Sequence, residues 1–149
     1  LIPRAVLDQA GGWDERLSLI DDFEFFTRLI LASDGIVHTP AARLHYRSGL
    51  PGSLSAQKSR RAWQSAALST RLAIGHLLAR ENSPRTRRLA ANLLQQLVFS
   101  LYPDHPDIYR PLIAEITSLG GADLIPGGGR IFRLLARTLG WRPAIRLRR

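Results

Sequence analysis

Three acids crowd one short stretch, Asp21-Asp22-Phe23-Glu24, directly before an apolar run. A carboxylate in the first turn of a helix is favoured in its charged form, because the helix amino terminus is electropositive. A charged carboxylate aimed into a cleft can take a proton from a hydroxyl, which is the work of a general base. Asp22 is the candidate for that role. The same acids have a purely structural reading, in which Asp21 caps the helix and Glu24, three residues on, closes a capping box. His38 and His45 stand on two short candidate strands, and no carboxylate spacing around them supports metal ligation. Cysteine is absent, which excludes disulfides, zinc-thiolate sites and cysteine nucleophiles. Gly127-Gly128-Gly129-Arg130 lacks both a preceding strand and the phosphate-loop lysine, so it reads as a hinge.

The acids need elements to hold them. Pro3 suits a first helical position, and Gly11-Gly12 stops a short helix over 4–10. The run Asp21 to Ser33 predicts a helix with Glu24 and Arg28 in the favourable i,i+4 order. Its phenylalanines and leucines cover so much of its surface that it must be mostly buried. Two short strands are expected next, 35–39 ending at Pro40 and 43–47 ending at Ser48-Gly49. Leu50 to Ser55 is rich in turn residues. Beyond it the pattern is helical only: 57–80 with Trp63, Ala66, Ala67, Thr70, Ile74 and Leu77, then a helix opened by Ser83-Pro84, then 107–119, then 130–139 with Ile131, Leu134, Leu135 and Leu139 on one side. The fold class that follows is α/β but predominantly helical, with about two short strands.

The order Ile2-Pro3-Arg4, Gly11-Gly12-Trp13-Asp14-Glu15, Asp21-Asp22-Phe23-Glu24-Phe25-Phe26 and Arg28, followed by Tyr46-Arg47 and Gly52-Ser53-Leu54-Ser55, resembles one block of the bacterial family 2 glycosyltransferases of GT-A type. The resemblance covers about the first 55 residues. It implies the carboxy-terminal portion of a GT-A domain over 1–55, an acceptor-side segment, with a helical extension over 56–126 and a basic amphipathic carboxy-terminal helix and tail over 127–149. It implies transfer of a sugar with inversion, from a nucleotide-sugar donor to a saccharide or lipid-linked acceptor. Asp22 then falls at the catalytic-base position and Asp21 beside it, capping the helix or touching acceptor. Gly11 and Gly12 would form the wall of the sugar site, where a bare backbone can come close to a ligand. The Trp13 indole would stack on a sugar face, or simply pack in the core. Asp14 would accept hydrogen bonds from sugar hydroxyls, and Arg47 would meet the donor diphosphate or lie on the surface. Many relatives carry a histidine after the Tyr-Arg pair, and Ser48-Gly49-Leu50 stands there instead. The family also holds a divalent metal, Mg or Mn, through an Asp-x-Asp motif. This sequence has none, so the metal ligands are expected mostly outside the chain.

The chain begins without methionine and already inside an apolar pattern, so it reads as a fragment whose nucleotide-binding half is missing and which is inactive alone. Its 149 residues carry a net charge of +9. Residues 1–55 hold five arginines against seven acids, whereas residues 127–149 hold seven arginines and no acid. Lys58 is the sole lysine, which points to codon composition as much as to chemistry. Arginines mixed with Leu134, Leu135, Leu139 and Trp141 suit peripheral contact with an anionic membrane surface, and equally a solvated face over a packed helix. The alternative to the enzyme is a non-catalytic basic helical domain that binds such a membrane or nucleic acid. Nucleic acid is the weaker partner, because no helix-turn-helix, zinc finger or aromatic-basic interleaving is present. No run of about 18 apolar residues could span a bilayer, and the expected location is cytoplasmic, peripheral at the inner face of the cell membrane.

Overall fold

The computed structural model of the chain describes residues 1–47, 49, 53 and 58–148. Among them are seven helices and no strand: α1 Arg4–Ala10, α2 Asp21–Ala32, α3 Arg60–Arg80, α4 Pro84–Leu101, α5 Pro106–Ser118, α6 Arg130–Thr138 and α7 Trp141–Arg148. The expected α/β class, with its two short strands at the end of a GT-A portion, is therefore corrected to all-helical. Residues 35–47 run as irregular chain with a turn closed by the Ala42 amide on the Thr39 carbonyl at 3.1 Å. Ile36, Val37, Leu44 and Tyr46 are all exposed. Their composition favours a strand, but strand preference is realised only against a neighbouring strand, and no strand forms among the described residues. Ser48, Leu50 to Gly52 and Leu54 to Gln57 lie outside the described residues, and with them most of the expected Leu50-to-Ser55 connection.

Two compact units divide the chain, Leu1–Arg80 and Glu81–Arg149. In the first, α2 lies on α3 and α1 on α2. The face α3 turns inward is made of small residues, Ala62, Ser65, Ala66, Ser69, Thr70 and Ala73, so the two backbones can approach closely while Phe25, Leu29 and Ile74 fill the space between. Burying each such large apolar side chain contributes about 1.5–3 kcal/mol.

The second unit pairs α4 with α5 and α6 with α7. Ser83 caps α4, its hydroxyl accepting from the Thr86 amide at 3.2 Å, with Pro84 in the first turn as expected. Leu94, Leu97, Val98 and Leu101 of α4 meet Ile108, Leu112 and Ile116 of α5 in the core. The Asn92 side chain anchors the loop after α5, donating to the Asp123 carboxylate at 2.7 Å and accepting from the Asp123 and Leu124 amides at 3.0 and 3.2 Å. α6 turns a different face inward from the expected one. Ala136 is buried and Phe132 and Leu135 are half-buried, while Ile131 and Leu134 are 77% and 62% exposed. The triple glycine before it is more than a hinge, since a Cβ on Gly128 would collide with the Phe132 ring. No helix among the described residues is long and apolar enough to cross a membrane.

Candidate active site

The site is built around one arginine. Gly11 ends α1 with a φ of 80°, a conformation open to glycine at little cost, and its amide bonds to the Leu7 carbonyl. The turn that follows is tied to α2 by Arg28. Its Nη1 donates to the Ala10 carbonyl and its Nη2 to the Gly12 carbonyl at 2.8 Å. The same guanidinium holds Glu24 with two bonds, Nε to Oε1 at 2.6 Å and Nη2 to Oε2 at 2.9 Å. A third contact comes from α3, where His76 Nε2 lies 3.0 Å from Glu24 Oε1. Glu24 is 3% exposed. Hydrogen bonding to Arg28 lowers its pKa first, burial opposes that, and His76 lowers it further, with a net shift downward. The i,i+4 pair anticipated from sequence is thus present, but the capping box is not. Ile20, not Asp21, is the capping residue, no side chain caps the helix, and Glu24 folds inward to Arg28 and His76.

Trp13 stacks on Phe25 with ring centroids 4.1 Å apart and planes at 16°, and meets Phe26 edge-on. Packing therefore uses one face of the indole, yet the residue stays 49% exposed. Asp14 is occupied by Arg16. The Arg16 side chain and amide both bond to its carboxylate, at 2.6 to 3.2 Å, and pull its pKa down to about 2, the side-chain hydrogen bond first. An acceptor hydroxyl would have to share Asp14 with Arg16.

α2 opens from an unusual turn. Ile20 has φ 62° and ψ 27°, the left-handed region, where a β-branched residue is disfavoured by about 1–2 kcal/mol. Two serines of α3 hold it there. Ser69 donates to the Ile20 carbonyl at 2.5 Å, and Ser65 accepts from the Ser18 amide at 2.7 Å. Directly after this turn Asp21 is half-buried and Asp22 exposed, and neither side chain has a hydrogen-bond or ion-pair partner among the described residues. Comparison with family models, with curated proteins and with solved structures found no match to this chain.

The structure thus brings Gly11, Gly12 and Trp13 onto α2, sets Asp21 and Asp22 at its amino terminus, and closes Asp14 with Arg16. Arg47 lies apart in the exposed stretch 42–47 and pairs with no carboxylate among the described residues. His38 and His45 are exposed as well, His45 within that stretch and His38 before it. Among the described residues no three His, Cys, Asp or Glu side chains group as a metal ligand set. Four residues that shape the site carry no signal in the linear pattern: Ile20 by its conformation, and Ser65, Ser69 and His76 by contacts 47 to 52 residues away in sequence.

Proposed function

We propose that the Leu1–Arg80 unit is the acceptor side of an inverting, nucleotide-sugar-dependent glycosyltransferase resembling family 2, with Asp22 as its general base. What supports this is the division of labour among the three acids of α2. Glu24 is consumed by Arg28 and His76, and this leaves Asp22 exposed and unpartnered at the helix mouth. In the reaction an acceptor hydroxyl attacks the anomeric carbon of the donor, its oxygen–carbon bond forms as the bond to the diphosphate oxygen breaks, the nucleoside diphosphate leaves, and the hydroxyl proton passes to Asp22. The exposed part of the Trp13 indole, beside the clamped Gly11-Gly12 turn, offers a flat apolar surface for the acceptor ring. The test is release of nucleoside diphosphate from a panel of UDP-, GDP- and dTDP-linked sugars by the complete gene product. Release that depends on an added saccharide or lipid-linked acceptor is expected. No release across the panel would remove the reading.

A second reading rests on α6. Ile131 and Leu134 lie exposed on the helix that also carries Arg130, Arg133 and Arg137. An apolar strip edged by arginines fits the headgroup boundary of an anionic membrane. Vesicles of phosphatidylcholine with phosphatidylglycerol should sediment the chain and vesicles of phosphatidylcholine alone should not, and Ile131→Ser with Leu134→Ser should weaken the effect. Equal binding to duplex DNA would assign the arginines to nucleic acid instead.

A further inference from the structure

The Glu81–Arg149 unit contains a cleft of about 290 Å³ lined by Tyr102, Tyr109, Arg110, Ile113, Arg142 and Arg146. Half of its lining is arginine and none of it is acidic. Tyr109, Arg110 and Ile113 come from α5, Arg142 and Arg146 from α7, and Tyr102 stands at the end of α4. The two tyrosine rings meet edge-on at 5.4 Å and form an aromatic wall. That wall is anchored, because Tyr102 is buried and its ring also meets Trp141 edge-on at 5.2 Å.

The arginines are held by aromatic faces and not by acids. The Arg146 guanidinium carbon lies 5.6 Å from the Tyr102 ring centre, and that of Arg142 lies 5.2 Å from the Trp141 ring centre. Stacking engages the flat face of a guanidinium and leaves its N–H edge available to donate. Arg110, Arg142 and Arg146 make no ion pair among the described residues. Two arginines elsewhere in the chain behave otherwise: Arg28 is spent on Glu24 and Arg88 on Asp123. Three like charges around one cleft repel one another unless an anion joins them.

We propose that this cleft is a binding site for a phosphoryl group, either a phosphate monoester or a diphosphate. Several guanidinium forks around one point match the many acceptor oxygens and high charge of such a group, which a single carboxylate does not supply. The volume lies just below the range of about 300–1,000 Å³ that encloses drug-sized ligands, so it suits a phosphate or diphosphate with one flat or apolar neighbour against the tyrosines. The group could arrive free in solution or carried on a lipid. The site lies in the other unit from Asp22 and stands or falls apart from the glycosyl-transfer reading.

The test is calorimetric titration of the 149-residue chain with inorganic pyrophosphate, in moderate salt. One-to-one binding is expected, weakened about tenfold or more by Arg142→Ala with Arg146→Ala. Arg110→Ala should weaken it independently, and Arg85→Ala on α4, outside the cleft, should leave it unchanged, with circular dichroism confirming that each variant folds. In a second arm, vesicles of phosphatidylcholine containing phosphatidic acid are sedimented with the same proteins. Vesicle binding by the parent that is lost in the double variant supports the site and names a lipid as its source, whether or not the parent binds free pyrophosphate. Pyrophosphate binding that survives the double variant, weakening by Arg85→Ala as large as by the cleft variants, or no binding in either arm would overturn the proposal.

Discussion

Replacing Arg28 by alanine strikes the joint on which the candidate site depends. The guanidinium satisfies a Glu24 carboxylate that is 3% exposed, and also ties the Ala10 and Gly12 carbonyls to α2. Removing one partner of a buried ion pair costs about 3–5 kcal/mol, because the remaining charge is left without compensation. His76 stays within reach at 3.0 Å, but its side chain is 38% exposed and it compensates only part of that loss. The two lost carbonyl contacts add about 0.5–1.5 kcal/mol each, so about 4–8 kcal/mol less the part that His76 offsets is expected, a large share of the roughly 5–15 kcal/mol of an ordinary domain. Urea unfolding followed by near-ultraviolet circular dichroism reads it, through the asymmetry of the Trp13–Phe25 stack. The double variant Glu24→Gln with Arg28→Ala should recover part of the loss, since it no longer buries an unpaired charge. The pH dependence has a definite sign. The folded Glu24 pKa is depressed below its ordinary 4.5, so its contribution is present above that value and disappears as the pH falls through the lower folded value. Glu24→Gln should flatten that acid limb. A change under about 1 kcal/mol for Arg28→Ala, with the acid limb intact in Glu24→Gln, would refute the clamp.

Ile20→Gly should stabilise the first unit by about 1 kcal/mol, because glycine accepts the left-handed turn that isoleucine resists, whereas Ser69→Ala should destabilise it by about 0.5–1.5 kcal/mol by removing one of the two donors to the Ile20 carbonyl and leaving the Phe23 amide at 3.2 Å; urea midpoints give both. Gln95 Nε2 is buried without a partner, so Gln95→Met should be neutral or raise the midpoint of the second unit by about 1 kcal/mol. Asn92→Ala should cost about 1–3 kcal/mol and speed hydrogen exchange at the Asp123 and Leu124 amides, which lose their acceptor.

Local signals in the sequence carried as far as local physics reaches. Ser83-Pro84 marked the start of α4 because a hydroxyl cap and a fixed φ act within one turn. The Glu24–Arg28 spacing marked their pairing for the same reason. The segments 35–39 and 43–47 misled because β-branched alternation describes a side chain's wish for a neighbour and not the presence of one. α7 was hidden behind Gly140 and Pro143, although a proline in the first turn of a helix breaks no intrahelical bond. On α6, Ile131 and Leu134 share a face with Leu135 by spacing, but the choice of Phe132 and Ala136 as the inward face is a matter of what α7 offers opposite. The site itself was half legible. Gly11, Gly12, Trp13 and Asp22 stood in the pattern, while Ser65, Ser69 and His76 reach Ser18, Ile20 and Glu24 across a fold that spacing cannot reveal.

The most direct measurement is sugar transfer by the complete gene product carrying Asp22→Asn, with donor affinity measured alongside. Asparagine keeps the shape of the side chain and removes its ability to take a proton. A loss of about 10²–10⁴-fold in turnover with donor affinity nearly unchanged is the expected result. Turnover equal to that of the parent would show that this carboxylate takes no part in the reaction.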